Sequence, residues 1–426
     1  MKYNYLNIKL LFLLLGLIVS SNEINAQTMS LDSIINIIKI NNSELEIYDA
    51  QIKAYNEYAK GAKSLDPPQV GAGFFMTPYN PKMWMPDAMN NGDAMGSFMI
   101  SAQQMFMNPQ KLNANATYMK SMSSVDSAMQ KSMRNELISM AKMNYFEWMF
   151  MNRKLLVINE SEELLNYLIK ATELKYTYGM DKLNSYYKAK AMLGEMQTMK
   201  VMVEQEIKQR TISLNTLMNR DKNKLFDIDT SYVLKNYELD ATDSSLIVKN
   251  RSDYSMLSKN INVLKTKQNY EYSKRLPDFG IKYDHMIAFG TDPQQFSIMA
   301  MISIPIVPWS SKMYKSTVAG LNFEIEAEKM KQKSFINQVS GNVENIKVQL
   351  KAKKQQVALS EKIIIPSMDK NYQTELLAYE QNTEMLFMVL DAWQNLKVVQ
   401  LMYLDQLMEL LALQIQYEKQ MEINNE

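Results

Sequence analysis

From Lys111 to Tyr178 the chain contains neither proline nor glycine, and its apolar residues step by three and four: Met122, Val125, Met129, Met133, Leu137, Met140. Positions three and four apart share one face of an α-helix, so this period predicts a single helix. At 1.5 Å per residue it would reach roughly 100 Å, several times the thickness of an ordinary core. A helix that long needs partners of similar length to cover its apolar stripe, which predicts coiled-coil packing with a period near 3.5. The scarcity of breakers supports this, with 12 Gly and 11 Pro in 426 residues.

The same design is written twice. Ser43 and Ser252 each open a helical stretch ending at a proline, Pro68 or Pro277, and both separations are 209 positions. Val70-Gly71 and Phe279-Gly280 keep that offset. Later, Tyr176-Thr177-Tyr178-Gly179 aligns with Tyr379-Glu380-Gln381-Asn382 at an offset of 203, as do Ala189 with Ala392 and Leu193 with Leu396. Two half-chains follow, 27–220 and 243–420. Helices are expected at roughly 30–64 and 243–275, each stopped before its proline, which disfavours the α conformation of the residue ahead of it. The long helix of the second half is expected over 311–381, with Pro366 kinking or loosening it. Gly179 and Asn382 are suited to a left-handed turn closing a helix, and a returning helix of about 35 residues follows each.

Between the helices the period changes to two. Phe279, Ile281, Tyr283, His285 and Ile287 alternate with Gly280, Lys282, Asp284 and Met286, and Phe296–Ile304 repeats the pattern. Strands are expected near 69–76, 97–105, 279–288 and 295–305. Strands of this length, apolar on one face and polar on the other, suit a membrane β-barrel. Four strands cannot close one, and open edges are not tolerated in lipid. Three copies would supply twelve strands and room for a lumen. The fold class is therefore mainly α with a membrane β-barrel, built from duplicated half-chains and completed by other copies of the chain.

Lys2 and Lys9 border a polar start, Leu10–Val19 is apolar, and Ile24-Asn25-Ala26 offers a cleavage site, so 1–26 is expected to be a signal peptide. The remainder, 27–426, shows no other stretch apolar enough for a transmembrane helix. The chain has no Cys, which excludes disulfides, thiolate metal sites and a lipidated N-terminal Cys. A net charge of +1, falling to 0 without the leader, gives no basic patch for nucleic acid. His285 is the only histidine, so histidine triads and multi-histidine zinc sites are ruled out. No phosphate loop or EF-hand pattern is present. The chain reads as a non-enzyme without a cofactor, and His285 as a packing residue.

Arg275-Leu276-Pro277-Asp278-Phe279 before a strand, Ile302-Ser303-Ile304-Pro305-Ile306 after one, and Tyr379-x-x-Asn382 leading into Val389-Leu390-Asp391-Ala392 occur in fixed order on the duplicated frame. In these residues the chain resembles the outer membrane efflux (TolC-like) family over nearly its whole mature length. The resemblance implies a homotrimer in the outer membrane of a Gram-negative bacterium, extending into the periplasm. Its barrel would contact outer-membrane lipid, its helical tips a periplasmic adaptor (membrane fusion) protein, and the adaptor an inner-membrane transporter of the RND type. It implies a passive exit duct, with Asp391 and Tyr379 at the periplasmic entrance. Gly179, Met180, Leu183, Asn382, Thr383 and Leu386 would form the adaptor-binding tips, with Met180–Leu183 and Thr383–Leu386 as the first helical residues beyond the turns. Asn382 stands where the family usually has glycine, and Glu384 where a relative carries a basic residue. Three copies of Asp391 would form an acidic ring favouring cations.

Methionine is abundant, 36 residues in all. Met76, Met83, Met85, Met89 and Met95 fall in the first inter-strand loop, and Met99, Met299 and Met301 on the polar strand face. Thioethers are soft ligands for ions such as Cu(I), although Met also replaces Leu on helix faces. Heavy-metal cations are thus one expected substrate class, and Pro366, ahead of the tip, resembles the heavy-metal branch. Tyr79, Trp84 and Trp309 suit membrane interfaces. Ducts for multidrug efflux or type I protein secretion, and a periplasmic structural coiled-coil protein, are the alternative readings.

Overall fold

The two longest helices each start on a proline, whose fixed φ suits the first helical position and whose missing N–H is no loss there. The computed structural model describes residues 28–84, 94–179, 182–230, 244–290 and 292–423; the leader expected over 1–26, together with Met85, Met89 and Met180, lies outside them. Helices α1 (Leu31–Asn41) and α2 (Ser43–Gly61) follow a two-residue strand β1 (Thr28–Met29). Strands β2 (Gln69–Phe75) and β3 (Ser97–Phe106) lead into helix α3 (Pro109–Thr177) and its return, α4 (Leu183–Leu217). The second half repeats this order after strand β4 (Asp227–Ile228): α5 (Ser244–Asn250), α6 (Ser252–Ser273), β5 (Phe279–Ala288), β6 (Gln295–Ile302), α7 (Pro308–Leu359), α8 (Ile365–Glu380) and α9 (Leu386–Met421).

Two expectations are corrected. The helices expected over 30–64 and 243–275 are each broken, at Asn42 and Arg251, both extended, with φ/ψ of −75°/121° and −73°/118°. These breaks are 209 residues apart, so the repeat includes the interruption. The carboxylate of Glu422 accepts from the Ser252 amide (2.7 Å) and hydroxyl (2.5 Å), capping α6. Burial pushes the Glu422 carboxyl up, and the Ser252 bonds and Arg251 oppose that. The helix expected over 311–381 is loosened ahead of Pro366, as that proline led one to expect. Ser360–Ile364 forms one π-helical turn between α7 and α8. In a regular helix the Pro366 ring would strike the Lys362 carbonyl and leave it without a donor. The wider turn relieves that clash, a usual cause of such bulges.

The chain forms two compact units, one of Met1–Ser43, Glu136–Asp240 and Asn345–Lys419, the other of Glu44–Asn135, Ala241–Glu344 and Gln420–Glu426. The second holds a four-stranded antiparallel sheet in the order β2-β3-β5-β6. Its register sorts the faces. Rows such as Val70–Ala102–Tyr283–Ile298 and Phe106–Phe279–Ile302 make one face apolar, while Gln103, Ser101, Lys282, Asp284 and Ser297 mark the other. His285 lies on the apolar face between Ile100 and Phe296. That face is open to its surroundings, with Ile298 69% and Phe296 66% exposed. At the helix-facing end, Asp278 accepts from the Asn108 amide (2.9 Å) and pairs with Lys111 (2.7 Å), while the Ser303 hydroxyl accepts from the Asp278 amide (2.9 Å). These bonds fix the start of α3 to the sheet.

The first unit is held by side chains of four helices. Ile158, Leu165 and Leu168 of α3 meet Ala189, Met192 and Met196 of α4, Tyr372 and Tyr379 of α8, and Leu386, Leu390, Trp393 and Leu396 of α9. Full burial of each large apolar group contributes roughly 1.5–3 kcal/mol. Ion pairs flank this core, among them Arg210–Glu147 (2.8 Å), Lys154–Asp405 (2.5 Å) and Lys142–Glu418 (2.6 Å). Burial pushes the Glu147 carboxyl up against the pull of Arg210. Strands β1 and β4 pair in parallel, a ladder too short to signal itself in sequence. Helix α9 is long and apolar enough by composition to cross a membrane, against the expectation that no such stretch exists beyond the leader. Its carboxylates Asp405 and Glu418 bind lysines of α3, and Trp393 and Leu390 are buried in the core, so it is a packed bundle helix.

Candidate functional site

The two hairpin turns of the first unit close as their residue types require. Gly179 has φ 74° and Asn382 φ 56°. The Asn382 amide donates to the Tyr379 carbonyl (3.1 Å) and the Thr383 amide to that of Ala378 (2.9 Å), the paired bonds of a Schellman cap. The Gly179 amide makes the matching bond to Tyr176 (2.9 Å).

Two lysines of the first hairpin bind the second. Lys175 stands 3.7 Å above the Tyr379 ring and donates to the Asn382 side-chain oxygen (3.0 Å) and the Tyr379 carbonyl (3.3 Å). A cation is favoured there because the last carbonyls of α8 carry partial negative charge. Lys188 stands 3.7 Å above the Phe387 ring and 3.7 Å from Asp391. Asp391 also accepts from Asn395 (3.3 Å). Its side chain is 56% exposed, so this is a weak, screened pair. It nonetheless sets a positive charge beside the Asp391 carboxylate. Sequence reasoning missed both lysines. A signal for Lys188 existed: it lies 203 positions before Asp391, the repeat offset, so equivalent positions of the half-chains face each other.

The tip residues divide by burial. Leu183 is 41% exposed and Thr383 is exposed, but Leu386 is fully buried against the four-helix core. Leu386 therefore offers no surface to a partner. Its neighbours Met385, Phe387 and Met388 are the exposed apolar groups, at 49%, 43% and 45%. They line a groove of about 380 Å³ with Lys182, Ser185 and Glu384. The helices start at Leu183 and Leu386, so Thr383 belongs to the turn rather than to a first helical turn. Tyr379 is buried, and Lys175 covers its ring. Further along α9, burial lowers the Lys397 ammonium, with Glu160 and Asp369 opposing.

A second candidate set lies on the polar sheet face of the other unit. Met99 pairs with Met286, Met299 with Lys282, and Met301 with Gly280. A side chain at Gly280 would overlap the Met105 sulfur and touch the Met301 methyl at 3.2 Å, so these two methionines close over the glycine. Lys282 lies 2.9 Å from buried Asp284, as an ion pair rather than an aligned hydrogen bond, and Ser297 donates to the same carboxylate (3.1 Å). Five thioethers thus share a face with one neutralised charge pair. Among the described residues no cluster of three or more His, Asp or Glu could hold a metal ion.

No protein-family model and no curated protein sequence matches the chain. Solved structures do. CusC, described as forming a transmembrane channel, superposes with a TM-score of 0.74 at 13% identity, covering 92% of this chain and 91% of CusC. The Campylobacter jejuni outer membrane channel CmeC gives 0.71 at 14% identity, covering 92% and 85%. The open-state Neisseria gonorrhoeae outer membrane channel MtrE gives 0.71 at 12%, covering 92% and 88%. The chain has the fold of TolC-like outer-membrane efflux channels.

Proposed function

We propose that this protein is the outer-membrane channel of a tripartite efflux pump, a passive homotrimeric exit duct in a Gram-negative bacterium. The observation that carries this reading is a four-stranded sheet with an exposed apolar face, whose outer strands β2 and β6 are paired on one side only among the described residues. An open edge in lipid must be paired, and copies of the same chain would close it as twelve strands. The helical hairpins would extend into the periplasm. There the exposed Leu183, Met385, Phe387 and Met388, rather than Leu386, would meet an adaptor serving an inner-membrane transporter, with Gly179, Asn382 and Thr383 in the adjoining turns. The chain would do no chemistry, and energy would come from the transporter. Asp391 would line the entrance as part of a Lys188–Asp391 pair.

The methionines of the polar sheet face favour soft metal cations as cargo, since a thioether contacts such ions without holding them as a thiolate would. A deletion strain grown on copper, silver, zinc, cobalt, dyes, detergents and antibiotics tests both levels. Selective metal sensitivity with retained metal supports the metal reading. Broad drug and detergent sensitivity makes the methionines packing groups in a multidrug duct. A protein fractionating with the soluble periplasm defeats the channel itself.

A further inference from the structure

A groove of about 790 Å³ lies between α2 and α3, in the unit that carries the sheet. Its spacing explains its shape. Ala59 and Ala116 are its small lining residues, and Ala116 is buried. Lys60, Lys63 and Lys120 stand on the rims and are exposed, with the Asn113 amide beside them. Lys60 pairs with Glu57 at 2.6 Å in full solvent contact. Among the described residues neither Lys63 nor Lys120 has an ion pair. The groove is thus lined by three ammonium groups, one of them paired with Glu57.

Its position matters as much as its charge. Helix α2 ends at Gly61, just ahead of β2, and α3 begins at Pro109, just after β3. The Ala62 carbonyl accepts from Asn115 (3.4 Å) and the Asp66 carbonyl from Gln104 (2.9 Å), so the groove adjoins the sheet end bearing the Phe106–Phe279–Ile302 row. Along α3, Asn113 to Lys120 covers roughly 6–17 Å beyond Pro109. A headgroup layer is roughly 5–8 Å thick, so the Asn113 end of the groove lies at its depth and Lys120 roughly 9 Å beyond it. The same end carries exposed Tyr272, with the Arg275 guanidinium 4.4 Å from its ring, and Trp309, 82% exposed. Amphipathic aromatics and cations belong at such an interface.

We infer that this groove binds the phosphate of anionic phospholipid headgroups in the periplasmic leaflet. The inference rests on the membrane-spanning reading of the sheet. The full-length protein in mixed micelles would be titrated with brominated phosphatidylglycerol or brominated phosphatidylethanolamine, reading tryptophan quenching. Wild type should prefer phosphatidylglycerol. The triple variant Lys60→Gln/Lys63→Gln/Lys120→Gln should lose about tenfold of that preference, and Lys312→Gln, as an exposed-lysine control, should keep it. A preference unchanged in the triple variant overturns the proposal. So does its abolition by millimolar inorganic phosphate, which would make the groove a free-anion site. Dissociation of the variant's oligomer without altered lipid preference would assign the lysines to a second copy and likewise overturn it. Failure of the wild type to insert into phosphatidylethanolamine vesicles would instead strike at the channel reading.

Discussion

At the residue scale the informative pair is Lys188–Asp391. An acidic position on α9 was legible because the Val389–Ala392 segment resembles a family motif. Its counter-charge was hidden because it lies on another helix, and only the 203-residue offset links the two. The pair has consequences of opposite sign. Removing Lys188 uncovers a carboxylate, while removing Asp391 uncovers an ammonium. In planar bilayers Lys188→Gln should therefore raise cation over anion permeability, and Asp391→Ala should lower it. An exposed pair is worth up to about 1 kcal/mol, which limits each change to roughly fivefold. Selectivity unchanged in both variants would remove Asp391 from the entrance. Leu386 gives the complementary lesson. Its place beyond the tip was readable, but its burial follows from the rotation of α9 about its axis, which periodicity does not set at a helix's first residue.

At the scale of elements, the long helices and their turns could be read because breakers are absent within them and concentrated at their ends. The interruptions at Asn42 and Arg251 could not, since neither residue is a strong breaker. At Arg251 the next helix is capped by Glu422, 170 residues away, while at Asn42 the side-chain amide donates to the Leu217 carbonyl. Pro366 pointed to a distortion, and the chain absorbs it as a π turn just ahead of the ring. The turns themselves allow a sharper test. An added Cβ at Gly179 meets nothing within 4 Å, so the strain of Gly179→Ala would come from the backbone alone. A left-handed L-residue costs about 1–2 kcal/mol. Gly179→Ala should lower stability by about 1 kcal/mol, whereas Asn382→Gly, already at φ 56°, should leave it unchanged or slightly raised. Thermal unfolding followed by helical circular dichroism reads both. Equal losses would mean that contacts of the Asn382 side chain, such as that with Lys175, outweigh backbone strain.

For the whole molecule the decisive question is what covers the apolar sheet face. Its alternation was visible in sequence, and the register now assigns neighbours to opposite sides: Ile298 lies with Tyr283 on the apolar face, Met299 with Lys282 on the polar one. Both are similarly exposed, 69% and 53%, so burial within the chain does not separate them. Lipid would. An arginine facing hydrocarbon near the middle of a barrel costs about 2–4 kcal/mol, while one facing a water-filled lumen costs little. Ile298→Arg should therefore reduce the membrane-inserted oligomer sharply, measured as heat-modifiable trimer in outer-membrane fractions. Met299→Arg should assemble normally and alter only conductance. The reverse outcome would place the polar face against lipid. Equal tolerance of both substitutions would mean that neither face meets a membrane, and a soluble coiled-coil scaffold would then be the better account of the long helices.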